Sequence, residues 1–114
     1  MIAVIFEVWP GEKQRDNYLD LAGQLRDDLL KMDGFISIER FESLSEKGKL
    51  LSLSFWRDEE AVKGWRNQEE HRKTQAKGRD SVFTDYRLRV AFVNRDYAMF
   101  NRNETPLDSR KKFD

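Results

Sequence analysis

The sequence of 114 residues contains no cysteine, only two prolines and a single histidine, His71. Without cysteine the protein has no disulfide framework, no thiol nucleophile and no thiolate metal site. One histidine among scattered carboxylates lacks the ligand spacing of a zinc site, so no metal is expected. No apolar run approaches the roughly 20 residues that a membrane-spanning helix requires. These absences leave a cytoplasmic protein as the default expectation.

The sequence also has no excess of charge, because 21 Lys and Arg residues balance 21 Asp and Glu residues. Proteins that bind nucleic acids or anionic membranes usually carry a basic surface, so neither is expected as a partner. The charged residues, 37% of the total, are expected to cover the outside, and the aromatic residues, 12%, to fill the core. This length suits one domain with one core. We assign residues 1–101 to that domain and residues 102–114 to a loose polar C-terminal tail.

The first third of the chain predicts a strand followed by a helix. Apolar residues alternate with others from residue 2 to residue 9, as in a half-buried strand, and Pro10 ends it. From about residue 16 to residue 32, apolar residues recur every three or four positions, which predicts a helix with one buried stripe. The stripe consists of Tyr18, Leu21, Leu25, Leu29 and Met32. Gly34 follows this helix, where a positive φ is common.

The middle of the chain predicts a β-hairpin and the start of a second helical region. Strands are predicted over residues 35–44 and 49–56, joined by a turn in which Gly48 takes a positive φ. Alternate residues of the second strand lie on opposite faces. One face holds Leu51, Leu53 and Phe55, and the other holds Ser52, Ser54 and Trp56. Asp58 is the predicted N-cap of a helical region that continues, after a break near Asn67, to about residue 78.

A final strand over residues 86–97 completes the order β-α-β-β-α-β. This order predicts an α+β fold of the ferredoxin-like type, with a four-stranded antiparallel sheet and both helices on one face. Ile5, Trp9 and Trp56 are predicted on or near the second face, which is then too apolar to face water. The last strand changes its apolar phase after Asn94, which indicates a bulge or pairing with another chain. We therefore predict a homodimer in which two sheets pack face to face.

Trp65 and His71 are the candidates for the catalytic residues. Trp65 is either the large core residue of its helix or the wall of a cavity between helix and sheet, where a flat ligand could stack. His71 is the side chain best suited to acid–base chemistry near neutral pH. On the predicted helix it shares a face with Gln75. That polar face either lines a pocket, with Gln75 contacting the substrate, or faces the solvent.

Phe55 and Arg87 are further candidates for substrate binding. Arg87 could contact an anionic group, although arginines that alternate along a strand are also typical of a dimer rim with salt bridges. Ser52 and Ser54 have no neighbouring motif that supplies a base or an oxyanion hole, so we interpret them as small strand residues. The sequence contains neither a dinucleotide-binding glycine motif nor a phosphate-binding loop, and no cofactor is expected.

Several segments, taken in order, resemble the antibiotic biosynthesis monooxygenase domain family. They are FWRDEEA at 55–61, GW at 64–65, EHR at 70–72, GR at 78–79, DYRLRV at 85–90 and RDY at 95–97. The resemblance implies a dimeric α+β barrel and an oxygenase that uses O₂ without a metal or a flavin. In the family's antibiotic-tailoring members a Trp, an Asn one turn before it and a Tyr six residues after it serve the site. Trp65 matches this Trp, whereas Ala61 and His71 replace the Asn and the Tyr.

The family's haem-degrading branch is an alternative. It uses an Asn of the first strand, the same Trp and an axial His later on the helix. Trp65 matches again, but the other two positions fall near Val4 and Gln75, and His71 lies a turn earlier. We therefore predict a cofactor-independent monooxygenase for a small aromatic or hydrophobic molecule, with His71 as the base. A haem-binding or haem-degrading protein and a non-catalytic dimeric binding module remain the alternatives.

Overall fold

A computed structural model describes residues 1–68 and 82–113. The described elements are β1 (Ile2–Pro10), α1 (Arg15–Gln24), α2 (Arg26–Leu30), β2 (Phe35–Glu42), β3 (Leu50–Trp56), α3 (Glu59–Arg66), β4 (Phe83–Phe92) and α4 (Leu107–Phe113). The strands form one sheet in the order β2-β3-β1-β4, and every neighbouring pair is antiparallel. This confirms the predicted ferredoxin-like α+β fold. The second half of the predicted second helical region lies outside the described residues.

The predicted first helix is interrupted at Leu25. The Leu25 N–H donates to the Ala22 carbonyl at 3.3 Å, one residue closer in the chain than an α-helical bond, and the α2 ladder then starts with Leu29 N–H on the Leu25 carbonyl at 2.9 Å. Gly23 precedes the interruption, and glycine destabilises a helix interior by about 0.5–1 kcal/mol. The predicted stripe is retained, because Tyr18 in α1 and Leu29 in α2 are both buried.

The sheet register decides which side chains face the helices. Val4 of β1 lies opposite Ser54 of β3, and Phe6 lies opposite Ser52. Because residues directly opposite each other point to the same face, both serines lie on the helix-covered face together with the apolar residues of β1. Leu53, between the serines in sequence, lies on the other face. The serines therefore occupy positions that large apolar side chains usually fill.

The expectation that Trp56 lies on or near the second face of the sheet was wrong. Trp56 pairs with Ile2 across the β1–β3 ladder and retains only 1% of its exposed surface. It belongs to a core cluster on the helix side. The reason is that residues directly opposite each other in paired strands point to the same face of the sheet. Ile2 of β1 points to the helices, so Trp56, which lies opposite it, does the same. The alternation within β3 alone did not identify the buried face.

Buried residues form two clusters at opposite ends of the helix-covered face. One cluster consists of Ile2, Leu29, Trp56, Ala61 and Val62. The other consists of Val8, Tyr18, Leu21, Leu50 and Val82. The two rows of paired residues between them, which contain the two serines, add no fully buried apolar residue to either cluster, since Val4, Ile38 and Phe6 of these rows are only partly buried. The core is thus divided in the middle.

The start of α3 is tied to the turn before β2. Asp58 caps α3 as predicted, with its Oδ1 accepting from the Ala61 N–H at 2.9 Å. The Arg57 N–H donates to the Gly34 carbonyl at 2.8 Å, and the Arg57 guanidinium binds both oxygens of Asp33, at 3.1 and 3.0 Å. This guanidinium holds the pKa of Asp33 below its usual value, mainly through the hydrogen bond. The turn and the helix start therefore form one unit.

The last strand ends earlier than predicted, at Phe92, and its irregularity lies at its other end. The register shifts between Trp9 and Pro10, where Trp9 pairs with Asp85 and Pro10 with Phe83. Thr84, the residue passed over, donates its hydroxyl to the Trp9 carbonyl at 2.8 Å. Pro10 has no N–H for the ladder, which explains why the bulge lies there.

The C-terminal residues, expected to form a loose polar tail, include a helix. Helix α4 begins after Pro106, a residue favoured in the first turn of a helix. Arg110 ties it to the preceding loop, donating to the carbonyls of Arg102 at 2.9 Å and Thr105 at 3.1 Å. None of the helices in the described part of the chain combines the length and apolarity needed to cross a membrane.

Gly34 and Gly48 provide a matched test of the contact between α3 and the turn before β2. Their φ angles are 84° and 85°, but a Cβ on Gly34 would lie 2.5 Å from the Ala61 Cβ, while nothing lies within 4 Å of one on Gly48. We expect Gly48→Ala to lower the free energy of unfolding by about 1–2 kcal/mol, the cost of a left-handed conformation. Gly34→Ala should cost about 1–3 kcal/mol more, because α3 must shift. Equilibrium urea denaturation measures both, and equal losses would contradict a tight contact.

Candidate functional site

A cavity of about 250 Å³ lies between the helices and the covered face of the sheet. It occupies the middle of this face, between the two core clusters, where the serines of β3 leave space. Its volume lies just below the roughly 300–1,000 Å³ that is common for pockets of drug-sized ligands. The dimensions suit a small molecule.

The β1–β4 side of the cavity is apolar. Val4 pairs with Val90, and Phe6 pairs with Leu88, so these four side chains form two adjacent rows on the cavity wall. The Phe6 ring also packs at 5.9 Å from the ring of Phe83, with the two planes at 63°. This arrangement can bind an apolar or aromatic group but offers it no hydrogen bond.

The β2–β3 side of the same rows is polar. Arg40 pairs with Ser52, and Ile38 pairs with Ser54. The Trp56 Nε1–H donates to Ser54 Oγ at 3.0 Å, which fixes the indole and uses this hydroxyl. The Ser52 hydroxyl has no hydrogen-bond partner among the residues that the structure describes, and it lines the cavity. One hydroxyl is therefore structural and the other is available to a ligand.

Tyr18 adds a second hydroxyl to this polar side from α1. The side chain is only 5% exposed, and its ring packs against Phe83 at a centroid distance of 5.7 Å. Burial raises the pKa of the Tyr18 phenol, while the neighbouring Arg40 guanidinium acts in the opposite direction. At neutral pH the phenol is therefore protonated and can donate a hydrogen bond.

Trp65 lies on the cavity wall and also contacts the core. Its ring is 6.5 Å from the ring of Trp56, with the planes inclined by 30°, and it packs against the cluster around Ile2. The two interpretations offered by the sequence, core residue and cavity wall, therefore both describe its position. A flat ligand in the cavity would lie within reach of this indole.

The other predicted site residues are not brought to the cavity by the described structure. Phe55 pairs with Ala3 and Arg87 with Glu7, so both point to the face of the sheet opposite the helices. Each is the neighbour in sequence of a residue that faces the helices. Because successive side chains of a strand point to opposite faces of the sheet, each faces away from the helices. His71 and Gln75 lie outside the described residues, and their roles stay predictions.

Tyr18 and Arg40 are the site residues that sequence reasoning missed. Tyr18 was assigned to the buried stripe of the first helix, but its polar tip at the start of an otherwise aliphatic stripe was a usable signal. Arg40 lies two residues after Ile38 in β2, so the two side chains share a face. Only the pairing with β3 shows that this face lines the cavity. Among the described residues, no group of three His, Asp or Glu side chains is arranged to hold a metal ion.

Comparison with known proteins identifies relatives of this chain. The family model for antibiotic biosynthesis monooxygenase matches residues 1–77. A protein from Pyricularia oryzae named jasmonate monooxygenase ABM is 52% identical over 93 residues, which cover 82% of this chain and 43% of the fungal protein. This chain therefore spans less than half the length of that relative. YqjZ of Bacillus subtilis, an uncharacterized protein, is 29% identical over 101 residues, 89% of this chain and 85% of YqjZ.

Solved structures share the same architecture. Rv0793 from Mycobacterium tuberculosis superposes with a TM-score of 0.75 and covers 85% of this chain and 98% of its own. Its sequence identity to this chain is 18%. At that identity the similarity shows the fold alone.

Ser54 and Ser52 allow a matched test of the polar side of the cavity. We expect Ser54→Ala to lower the free energy of unfolding by about 1–3 kcal/mol, because the buried Trp56 N–H loses its acceptor. Ser52→Ala removes a hydroxyl of similar burial that has no partner in the described part of the chain, and should change stability by less than about 0.5 kcal/mol. Chemical denaturation followed by tryptophan fluorescence measures both values. Equal effects would mean that the indole is not held by Ser54.

Proposed function

The chain belongs to the antibiotic biosynthesis monooxygenase family, and from this premise we propose that it is a monooxygenase acting on a small aromatic or hydrophobic molecule. The observation that carries the proposal is the cavity between helices and sheet, apolar along β1 and β4 and bounded by Trp65. Such a site can bind and orient an apolar substrate. Because the relative from Pyricularia oryzae is named for jasmonate, jasmonate is the first substrate to test.

We propose that the reaction needs no metal or organic cofactor, because the substrate itself supplies the electrons. A CH₂ group made acidic by a conjugated carbonyl gives a proton to a base, and the resulting enolate is oxidised by O₂. One oxygen atom stays on the carbon and the other leaves as water, so that R₂CH₂ + O₂ gives R₂C=O + H₂O. His71 is the proposed base, because its ordinary pKa suits proton transfer near neutral pH. Trp65 packs against the substrate ring.

A haem-degrading activity has less support. A porphyrin is larger than most drug-sized ligands, and the cavity, at about 250 Å³, is smaller than the sites that usually hold such ligands. The proposed reaction therefore does not involve haem.

Oxygen uptake tests the proposed activity directly. We expect purified protein to consume one O₂ per substrate oxidised, with a panel of phenolic compounds and jasmonate, and to retain this activity with a chelator present. Each substrate is also assayed with an added reductant, since a substrate that cannot supply electrons would need one. A haem titration in the same buffer should give no stoichiometric Soret complex. A complex that bleaches with reductant and air, together with no uptake on the panel, would contradict the proposal.

Variants of the site residues sharpen this test. His71→Ala should lower kcat by about a hundredfold or more, the usual contribution of a general base. Trp65→Phe should lower kcat/KM by roughly two- to tenfold, since it weakens one aromatic contact. Trp9→Phe is the matched control, because Trp9 lies on the opposite face of the sheet, where its Nε1–H donates to Glu46 at 3.0 Å. Unchanged turnover in the first two variants would contradict the assigned roles.

We also propose that the protein is a homodimer. Met99 and Phe100, in the segment that follows β4, are 78% and 93% exposed, and adjacent exposed apolar residues of this size are typical of an interface. The second face of the sheet supports the same proposal, because it carries apolar residues that the helices do not cover. They are Ile5, Leu51, Leu53 and Phe55.

A charged residue introduced into the segment that follows β4 tests the proposed dimer. We expect Phe100→Asp to shift the protein from dimer to monomer at micromolar concentration, since a buried unpaired carboxylate opposes association. Leu44→Asp is the control, because Leu44 is the most exposed apolar side chain of the described residues, at 104%, and lies alone in the β2–β3 turn. Sedimentation equilibrium measures both. A dimer unaffected by Phe100→Asp, or a monomeric wild type, would contradict the proposed interface.

A further inference from the structure

The polar groups of the cavity are gathered on one side, at the edge of the sheet, and include one arginine of a strand. We infer that the substrate carries a carboxylate, which Arg40 binds together with the hydroxyls of Tyr18 and Ser52, while its apolar part lies against β1 and β4. This inference deepens the proposed function, since it names the chemical class of the molecule that the same cavity accepts.

The sheet register orders these groups by polarity. One row runs across all four strands, from Arg40 on β2 through Ser52 on β3 and Phe6 on β1 to Leu88 on β4. All four side chains line the cavity. A ligand lying along this row meets a cation at one end, a hydroxyl next to it and two apolar side chains after that. The matching ligand is a molecule with one anionic end and an apolar body.

Arg40 has no carboxylate partner in the described part of the chain. The acids nearest in sequence on its strand are used elsewhere: Glu42 pairs with Arg15 at 3.7 Å, and Glu39 pairs across the sheet with Leu53, on the opposite face. A cation beside apolar walls interacts more strongly with an anion than it would in water. Arg40 belongs to the exposed edge strand, so a charged group can reach it at the cavity mouth without full desolvation.

Tyr18 complements Arg40 as a neutral donor. The phenol is 5% exposed and is protonated at neutral pH, as a tyrosine ordinarily is, and burial raises its pKa further. A carboxylate can therefore accept from the guanidinium and from the Tyr18 hydroxyl at the same time. The planar fork of an arginine matches the two oxygens of a carboxylate.

A second arginine on the wall, Arg66, makes the assignment testable. Arg66 is the last residue of α3, so it belongs to a helix and not to a row of paired residues of the sheet. Arg40, in contrast, is flanked by Ser52 and Tyr18. We therefore assign the anion to Arg40, and a preference that depended on Arg66 would contradict this assignment.

Binding of octanoate and of octanamide tests the inference without any turnover. The two compounds have the same chain and nearly the same shape, but only octanoate is charged at pH 7. Quenching of the Trp56 and Trp65 fluorescence, checked by calorimetry, gives each affinity. We expect wild type to bind octanoate at least about tenfold more tightly than octanamide, the usual value of a charged hydrogen bond. Arg40→Gln should abolish this preference, and Tyr18→Phe should reduce it severalfold.

Arg26→Gln is the matched control, because Arg26 begins α2 on the exposed surface and does not line the cavity. It should keep the full preference. Denaturation curves of all variants verify that they fold, and Arg40→Lys, which keeps the charge but not the fork, should retain part of the preference. Equal binding of the two compounds by wild type, or a preference that is lost in Arg66→Gln instead, would overturn the inference.

The inference and the proposed function can fail separately. If the protein oxidises neutral phenols but binds octanoate and octanamide equally, the carboxylate inference is wrong and the monooxygenase proposal stands. If the carboxylate preference depends on Arg40 but no compound of the panel is oxidised, the inference stands and the catalytic proposal is wrong.

Discussion

The pairing of β1 with both β3 and β4 is the constraint on which the rest of the structure depends. β1 lies inside the sheet, and its apolar residues at even positions face the helices. A residue of β3 or β4 that pairs with one of these β1 residues therefore also faces the helices. A slip of one residue in either ladder would exchange the faces of the neighbouring strand. In β3 that slip would move Trp56 out of the core, and in β4 it would bring Arg87 to the helices. Core, cavity and charge placement therefore follow from one register.

The same register explains why the core is divided. Large side chains fill its two ends, around Trp56 on one side and Val8 on the other. In the two rows between them the β3 positions hold Ser52 and Ser54, whose side chains are too short to reach the helices. Protein interiors are otherwise packed to the density of organic crystals. The cavity is therefore the space that these serines leave, and its polar side lies where they are.

The fold could be predicted from the sequence to a large extent, because alternation, helical stripes and turn glycines are local signals. Gly34 and Gly48 have the predicted positive φ, and Asp58 caps its helix. The site could be predicted only in part. Trp65 was identified, but the face of each strand depends on a partner distant in sequence, so Trp56 was placed on the wrong face and Arg40 was missed. Phe55 and Arg87 point away from the cavity for the same reason.

Stability alone does not account for two serines in the middle of this core. The cost of burying Ser54 is compensated, because its hydroxyl accepts a hydrogen bond from the Trp56 N–H. Ser52 has no such bond within the described residues, and an apolar side chain in its place would gain dispersion contacts with α1. Arg40 next to it has no ion pair within the described residues. A hydroxyl without a hydrogen bond and a cation without a carboxylate stabilise the folded state little, but they are the groups that an anionic, largely apolar ligand requires. The polarity of the cavity is therefore better explained by binding than by folding.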